Sequence, residues 1–77
     1  MKIISICDDD DLCTGLQLTG IEGSVVHTLE AFSQVFEDTL ANQQISILVI
    51  TKKLANLHRR QIDEVRLNKA LPLIVEL

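Results

Sequence analysis

Four short runs of apolar, largely β-branched residues alternate with amphipathic stretches along this chain, and that alternation sets the fold class before any chemistry is considered. Lys2 to Cys7 (KIISIC) is the first run, and its shape predicts a strand. It ends against Asp8, Asp9, Asp10 and Asp11, which lead straight into a stretch with helical spacing. From about Asp10 to Thr19, Leu12, Cys13, Leu16 and Gly20 fall on one face, and the aspartates sit where a helix N-terminus offers unpaired N–H groups and a partial positive charge. Gly20 and Gly23 bracket a reversal of the chain. Leu18 does not fit this face, which leaves it either packed in a distorted last turn or exposed as a contact.

Ser24 to His27 (SVVH) predicts a short edge strand, and Thr28 is placed to cap the helix that follows. In Leu29 to Ala41 the residues Leu29, Phe32, Val35, Phe36 and Leu40 mark the inner stripe of that helix. Ile45 to Thr51 (ISILVIT) is almost continuously apolar, the pattern of a strand covered on both faces. A third helix is expected from Lys52 to about Asn68, with Leu54, His58, Ile62 and Val65 inside and Arg59, Arg60, Asp63 and Glu64 outside. The pairs Arg59 with Asp63 and Arg60 with Glu64 have i, i+4 spacing on that outer face. Leu71 to Glu76 (LPLIVE) is the fourth strand, with Pro72 at its start, where a missing N–H is tolerated.

Strands and helices that alternate are joined by right-handed crossovers, so the expected fold is α/β: an open four-stranded parallel sheet, order 2-1-3-4, with three helices on its faces. Residues 1–77 read as one domain of receiver or flavodoxin type, truncated after the fourth strand, and the abrupt end one residue later suggests a fragment.

Composition narrows the function classes. The chain has two Phe, no Trp and no Tyr, which requires an aliphatic core. Its net charge of −4 argues against nucleic acid or an anionic membrane surface as the main partner. No apolar run approaches the length of a membrane span or a signal-peptide core, so no direct membrane insertion is expected. Cys7 and Cys13 do not form a CxxC, and they read as two reduced, half-buried thiols. His27 and His58 lack ligand spacing.

In this strand order the crevice lies where the sheet reverses direction, between Asp8 to Asp11 and Thr51 to Lys53. A receiver-type phosphotransfer site would need a carboxylate at the end of the third strand, and Ile50-Thr51 stands there instead. Asp9, Asp10 and Asp11 are weak candidates for an open cation site. Gly15, Gly20 and Gly23 do not spell a dinucleotide fingerprint, and no catalytic triad is visible. No cofactor and no catalytic residues are expected.

The run Asp9-Asp10-Asp11 followed by Thr14-Gly15-Leu16-Gln17-Leu18-Thr19-Gly20-Ile21 resembles the opening of the F subunits of V/A-type ATPases and ATP synthases. The later pieces ISILVITKKLA, RRQIDEVR and LPLIVEL are similar to the rest of that family's N-terminal domain. Asp8, Leu16 and Thr19 depart from the family pattern, which often has glycine, an aromatic and alanine at those positions, so the first helix is expected to pack differently. The family's C-terminal tail is absent from these residues. The resemblance implies a non-catalytic component of the rotating central stalk, cytoplasmic and peripheral to the membrane. Its implied partners are the coiled-coil shaft (the D subunit) and the catalytic head, and its implied role is to tune coupling or ATP hydrolysis. The competing reading is a degenerate receiver-like signalling or metal-binding domain. Leu18 and Leu67 lie outside their helices' inner stripes, and they are the expected partner-interface residues.

Overall fold

The alternation predicted from the sequence builds one parallel sheet. In a computed structural model that describes residues 2–77, the strands are β1 (Lys2–Cys7), β2 (Glu22–Val25), β3 (Ile45–Ile50) and β4 (Leu73–Glu76). They lie in the order β2-β1-β3-β4 and all pair in parallel. The helices are α1 (Asp10–Leu18), α2 (Leu29–Ala41), α3 (Lys52–Leu57) and α4 (Arg59–Asn68). Fold class and strand order are those expected from the sequence.

Alternation along each strand assigns the faces. Ile6, Leu48 and Ile50 point to the side that holds Phe32 and Phe36 of α2, Leu54 of α3, and Ile62 and Val65 of α4, and together they form the aliphatic core. Ser5 and Cys7 point the other way, toward Cys13 of α1. Right-handed crossovers explain the division, because the step from β1 to β2 runs opposite to the steps that follow and carries its helix to the opposite face.

Several local features differ from expectation, among them the start of β4, which is Leu73 rather than Leu71 and leaves Pro72 just outside the strand. The expected third helix is two, because the chain breaks at His58 (φ −120°, ψ 32°), so the sheet carries four helices rather than three. Neither Gly nor Pro marks the break. Its cause is tertiary: the imidazole stacks on Phe32 with ring centroids 3.8 Å apart, while Ile62 and Val65 settle onto the sheet beyond it. β2 begins two residues earlier than expected, at Glu22, since β1 offers its free edge from Ile4 to Cys7 and recruits Glu22 to Val25 in register despite their weak strand character. The predicted inner stripes are also trimmed at their ends. Leu12 and Leu29 are exposed, Gly20 lies past the end of α1, and Cys13 is the one buried residue of that helix.

Local chemistry fixes the turn out of α1. Gly20 takes φ 91°, its N–H donates to Gln17 O at 2.9 Å, and the Ile21 N–H donates to Leu16 O at 3.1 Å, the paired bonds of a Schellman motif. Only a residue without Cβ adopts that φ cheaply. The reversal drops the chain into β2, where Gly23 meets β1 so closely that a Cβ would collide with Ser5 Oγ and lie 2.9 Å from Cys13 Sγ.

Candidate functional site

The crevice at the C-terminal edge of the sheet gathers Asp8, Asp9, Asp10, Asp11, His27 and Lys53, as the switch in strand order requires. Its carboxylates differ in their duties. Asp8 is half-buried, accepts from Thr51 Oγ1 at 3.1 Å and faces Lys53 Nζ at 3.7 Å. Asp9 is the N-cap of α1, with Oδ1 accepting from the Asp11 and Leu12 N–H groups at 2.8 and 3.4 Å. Asp10 and Asp11 lie exposed in the first turn, where the helix dipole favours them.

Thr51 occupies the end of β3, and its hydroxyl is fully engaged. It donates to Asp8 and accepts from the Leu54 N–H at 3.4 Å, which makes it the N-cap of α3. A hydroxyl in this position forms no acyl phosphate. With Asp8 and Asp9 used in capping and pairing, Asp9, Asp10 and Asp11 present an open edge of oxygens rather than a shell. Among the described residues no group of three or more His, Cys, Asp or Glu is arranged to hold a metal ion.

Three further groups with chemical potential, Cys7, Cys13 and His58, are packed inside the fold. Cys7 and Cys13 are free and buried, more so than expected from the sequence. Burial pushes the Cys7 thiol above its ordinary value, against the hydrogen bond to Ser5, and neighbouring Cys13 adds to the rise. His58 is buried and its pKa is lowered by loss of solvent.

Leu18 and Leu67, the expected interface pair, are 84% and 85% exposed. Exposure decides between the two readings of Leu18: it is not packed in a distorted turn. The two leucines stand on α1 and α4, on opposite faces of the sheet, so one straight partner helix cannot cover both.

One cluster escapes the sequence reading. Arg59, expected on a solvated face with Asp63, does reach that residue at 4.0 Å, but its guanidinium grips Glu76 of β4 through two bonds of 2.6 and 2.9 Å. Arg66 adds a bond of 2.9 Å to the same carboxylate and another of 2.9 Å to Ile74 O. Hydrogen bonds from Arg59 first and Arg66 second hold the Glu76 carboxyl at about 2. Arg60 and Glu64, the second expected pair, form no ion pair among the described residues. The available signal was the spacing: arginines seven apart share a helix face, and Glu76 follows the alternation that points Ile74 at the helices.

Comparison with known proteins gives this geometry a family. Residues 3–77 match the family described as ATP synthase (F/14-kDa) subunit. That is nearly the whole chain. The chain belongs to this family. Among similar proteins, the F subunit of the A-type ATP synthase of Methanothermobacter thermautotrophicus is 33% identical over 75 residues, covering 96% of this chain and 70% of the relative. The F subunit of the A-type ATP synthase of Methanosphaera stadtmanae is 35% identical over 74 residues, covering 95% and 69%. No solved structure matches.

Within this family of ATP synthase F subunits, the chain's Thr14-to-Ile21 motif acquires a physical content. Its second half is the Schellman reversal, in which Gly20 supplies the left-handed residue and Leu16 the accepting carbonyl. Thr19 donates its hydroxyl back to Leu16 O at 2.6 Å and so fits the helix end. Leu16 is half-buried on the flank of α1.

Proposed function

We propose that this chain is a non-catalytic component of the rotating central stalk of a V/A-type ATP synthase, in the process that couples ATP synthesis or hydrolysis to proton or sodium transport. Its globular body docks on the coiled-coil shaft and tunes coupling to the catalytic head. The observation that carries this reading is the match to the family of ATP synthase F subunits over residues 3–77. Two relatives named as F subunits of A-type ATP synthases support it. The crevice supports it as well, since Thr51 stands where phosphotransfer would need a carboxylate and is engaged in capping α3.

A docking role is compatible with the size of the domain. A specific interface takes about 800 Å² from each partner, which a domain of this size can offer. No helix among the described residues is long and apolar enough to cross a membrane, in keeping with a peripheral position on the complex.

Size-exclusion chromatography of this chain, mixed at micromolar concentration with the same organism's shaft protein, tests the docking. Co-elution is expected, and separate elution would refute it. Adding the chain to an ATP synthase complex that lacks it tests the tuning: the rate or coupling of ATP hydrolysis should change, and an unchanged complex would remove that half of the proposal.

A further inference from the structure

Two leucines left out of the core flank the same opening. Leu29, at the start of α2, and Leu57, at the end of α3, are both largely exposed, and both line a hollow of about 410 Å³ at the C-terminal edge of the sheet. Its floor is Val26, Leu54 and the ring of His58, all buried. Segments that follow β1, β2 and β3 meet around it, at the switch in strand order where α/β folds hold ligands. A hollow of this size takes a small organic molecule.

Most polar groups around the hollow are already engaged. Thr28 Oγ1 accepts from the Ala31 N–H at 3.0 Å, while Asp8 accepts from Thr51 and faces Lys53. His27 is exposed to water. His58 is the exception: it is only 8% exposed, it stacks on Phe32, and neither ring nitrogen hydrogen-bonds to a described residue. Buried polar groups ordinarily find a partner. No side-chain nitrogen among the described residues is both sealed and unpaired, so those of His58 open to the outside through the hollow that the ring lines. Loss of solvent lowers the pKa of the ring and keeps it neutral, with one nitrogen free to accept a hydrogen bond.

Charge selects the other end of the ligand. The hollow opens onto the acidic crevice, with which it shares Asp8, His27 and Lys53. Four aspartates face one lysine there, and that lysine is paired with Asp8. The field at the mouth is negative, which draws a cation and repels an anion.

We propose that this hollow binds a small amphipathic amine. Its apolar body lies on Val26 and Leu54 between Leu29 and Leu57, a hydroxyl at its inner end donates to His58, and its ammonium faces the aspartates of the crevice. The site is independent of the docking role above, and it is tested on the chain alone.

Three probes with the same aromatic body separate the two ends: tyramine, phenethylamine, which lacks the hydroxyl, and 4-hydroxyphenylpropionate, in which a carboxylate replaces the ammonium. Each is titrated to about 10 mM, the range expected for so small a ligand, while the methyl signals of Val26, Leu29, Leu54 and Leu57 are followed by NMR. Tyramine should bind about threefold or more tightly than phenethylamine, the worth of one hydrogen bond, and about tenfold more tightly than the carboxylate. His58→Phe keeps a ring on Phe32 but removes the nitrogens, so it should erase the preference for tyramine over phenethylamine and spare the preference for the amine over the acid. The exposed pair Asp10→Asn with Asp11→Asn should do the reverse, and it keeps the test decisive should His58→Phe fail to fold. Equal affinity for all three probes, no saturable shift at these methyls, or a hydroxyl preference that survives in His58→Phe would overturn the proposal. Displacement of tyramine by the shaft protein would give the hollow to a protein segment and overturn it as well.

Discussion

The two faces of this sheet are made from equally apolar residues and end in different states. On one face Ile6, Leu48 and Ile50 meet Phe32, Ile62 and Leu54, and each of the six is at most 5% exposed. On the other, Val49 is buried but Leu73 and Val75 of the adjacent strand remain open. Apolar character alone therefore does not decide burial. The deciding quantity is how many helices the crossovers deliver to each side: the one connection that runs toward β2 sends a single helix to the second face. A sealed face confers stability, and a half-roofed face leaves apolar side chains open to solvent.

Truncation on the sealed face should have the largest effect. Ile62→Ala should cost roughly 2–4 kcal/mol in urea denaturation, because Ile62 is fully buried and its cavity cannot close. The matching change on the open face, Val75→Ala, should cost under about 1 kcal/mol, since solvent already reaches that side chain. Similar losses at the two positions would break the distinction between the faces.

A smaller effect tests the roofed half of the second face. Gly23→Ala should destabilise by about 1–3 kcal/mol, because the added methyl collides with Ser5 Oγ and crowds Cys13 Sγ beneath α1. A neutral or stabilised variant in thermal melts would show that α1 sits looser than the packing around Gly23 implies. The combination Gly23→Ala with Cys13→Ala sharpens the point, and it should recover part of the loss.

The clamp on Glu76 makes a pH-dependent contribution. Its carboxyl is held at about 2 against an ordinary 4.5, so the group stabilises the fold above 4.5 and loses that contribution as pH falls toward 2. The stability difference between wild type and Glu76→Gln should be constant at neutral pH and shrink to nothing across that acid window. A difference that grew on acidification would reverse the assigned sign. Arg60→Ala, on the solvated side of α4, should change stability by less than about 0.5 kcal/mol and anchors the low end of the series.

Much of the fold was legible in the residues themselves. The runs that form β1 and β3, the Asp9 and Thr28 caps and the glycine reversal specify their elements through neighbours a few positions away, and the structure keeps them, whereas the run Ser24 to His27 gives way to Glu22–Val25. The crevice was legible too, because its place follows from strand order alone. Less legible were the duties of its members: Asp8 and Thr51 are 43 positions apart, and only folding turns them into a hydrogen-bonded pair.

By itself, then, the sequence determined the α/β class, the strand order, the inner stripe from Leu54 to Val65 and, through the spaced motifs from Asp9 onward, the family. Local spacing and handedness suffice for these. Tertiary structure alone decided the break at His58, the Arg59, Arg66 and Glu76 clamp, and the unequal covering of the two faces. Each depends on groups brought together across the sheet, where a stacked ring, a shared carboxylate or a missing helix has no counterpart in the spacing of residues along the chain.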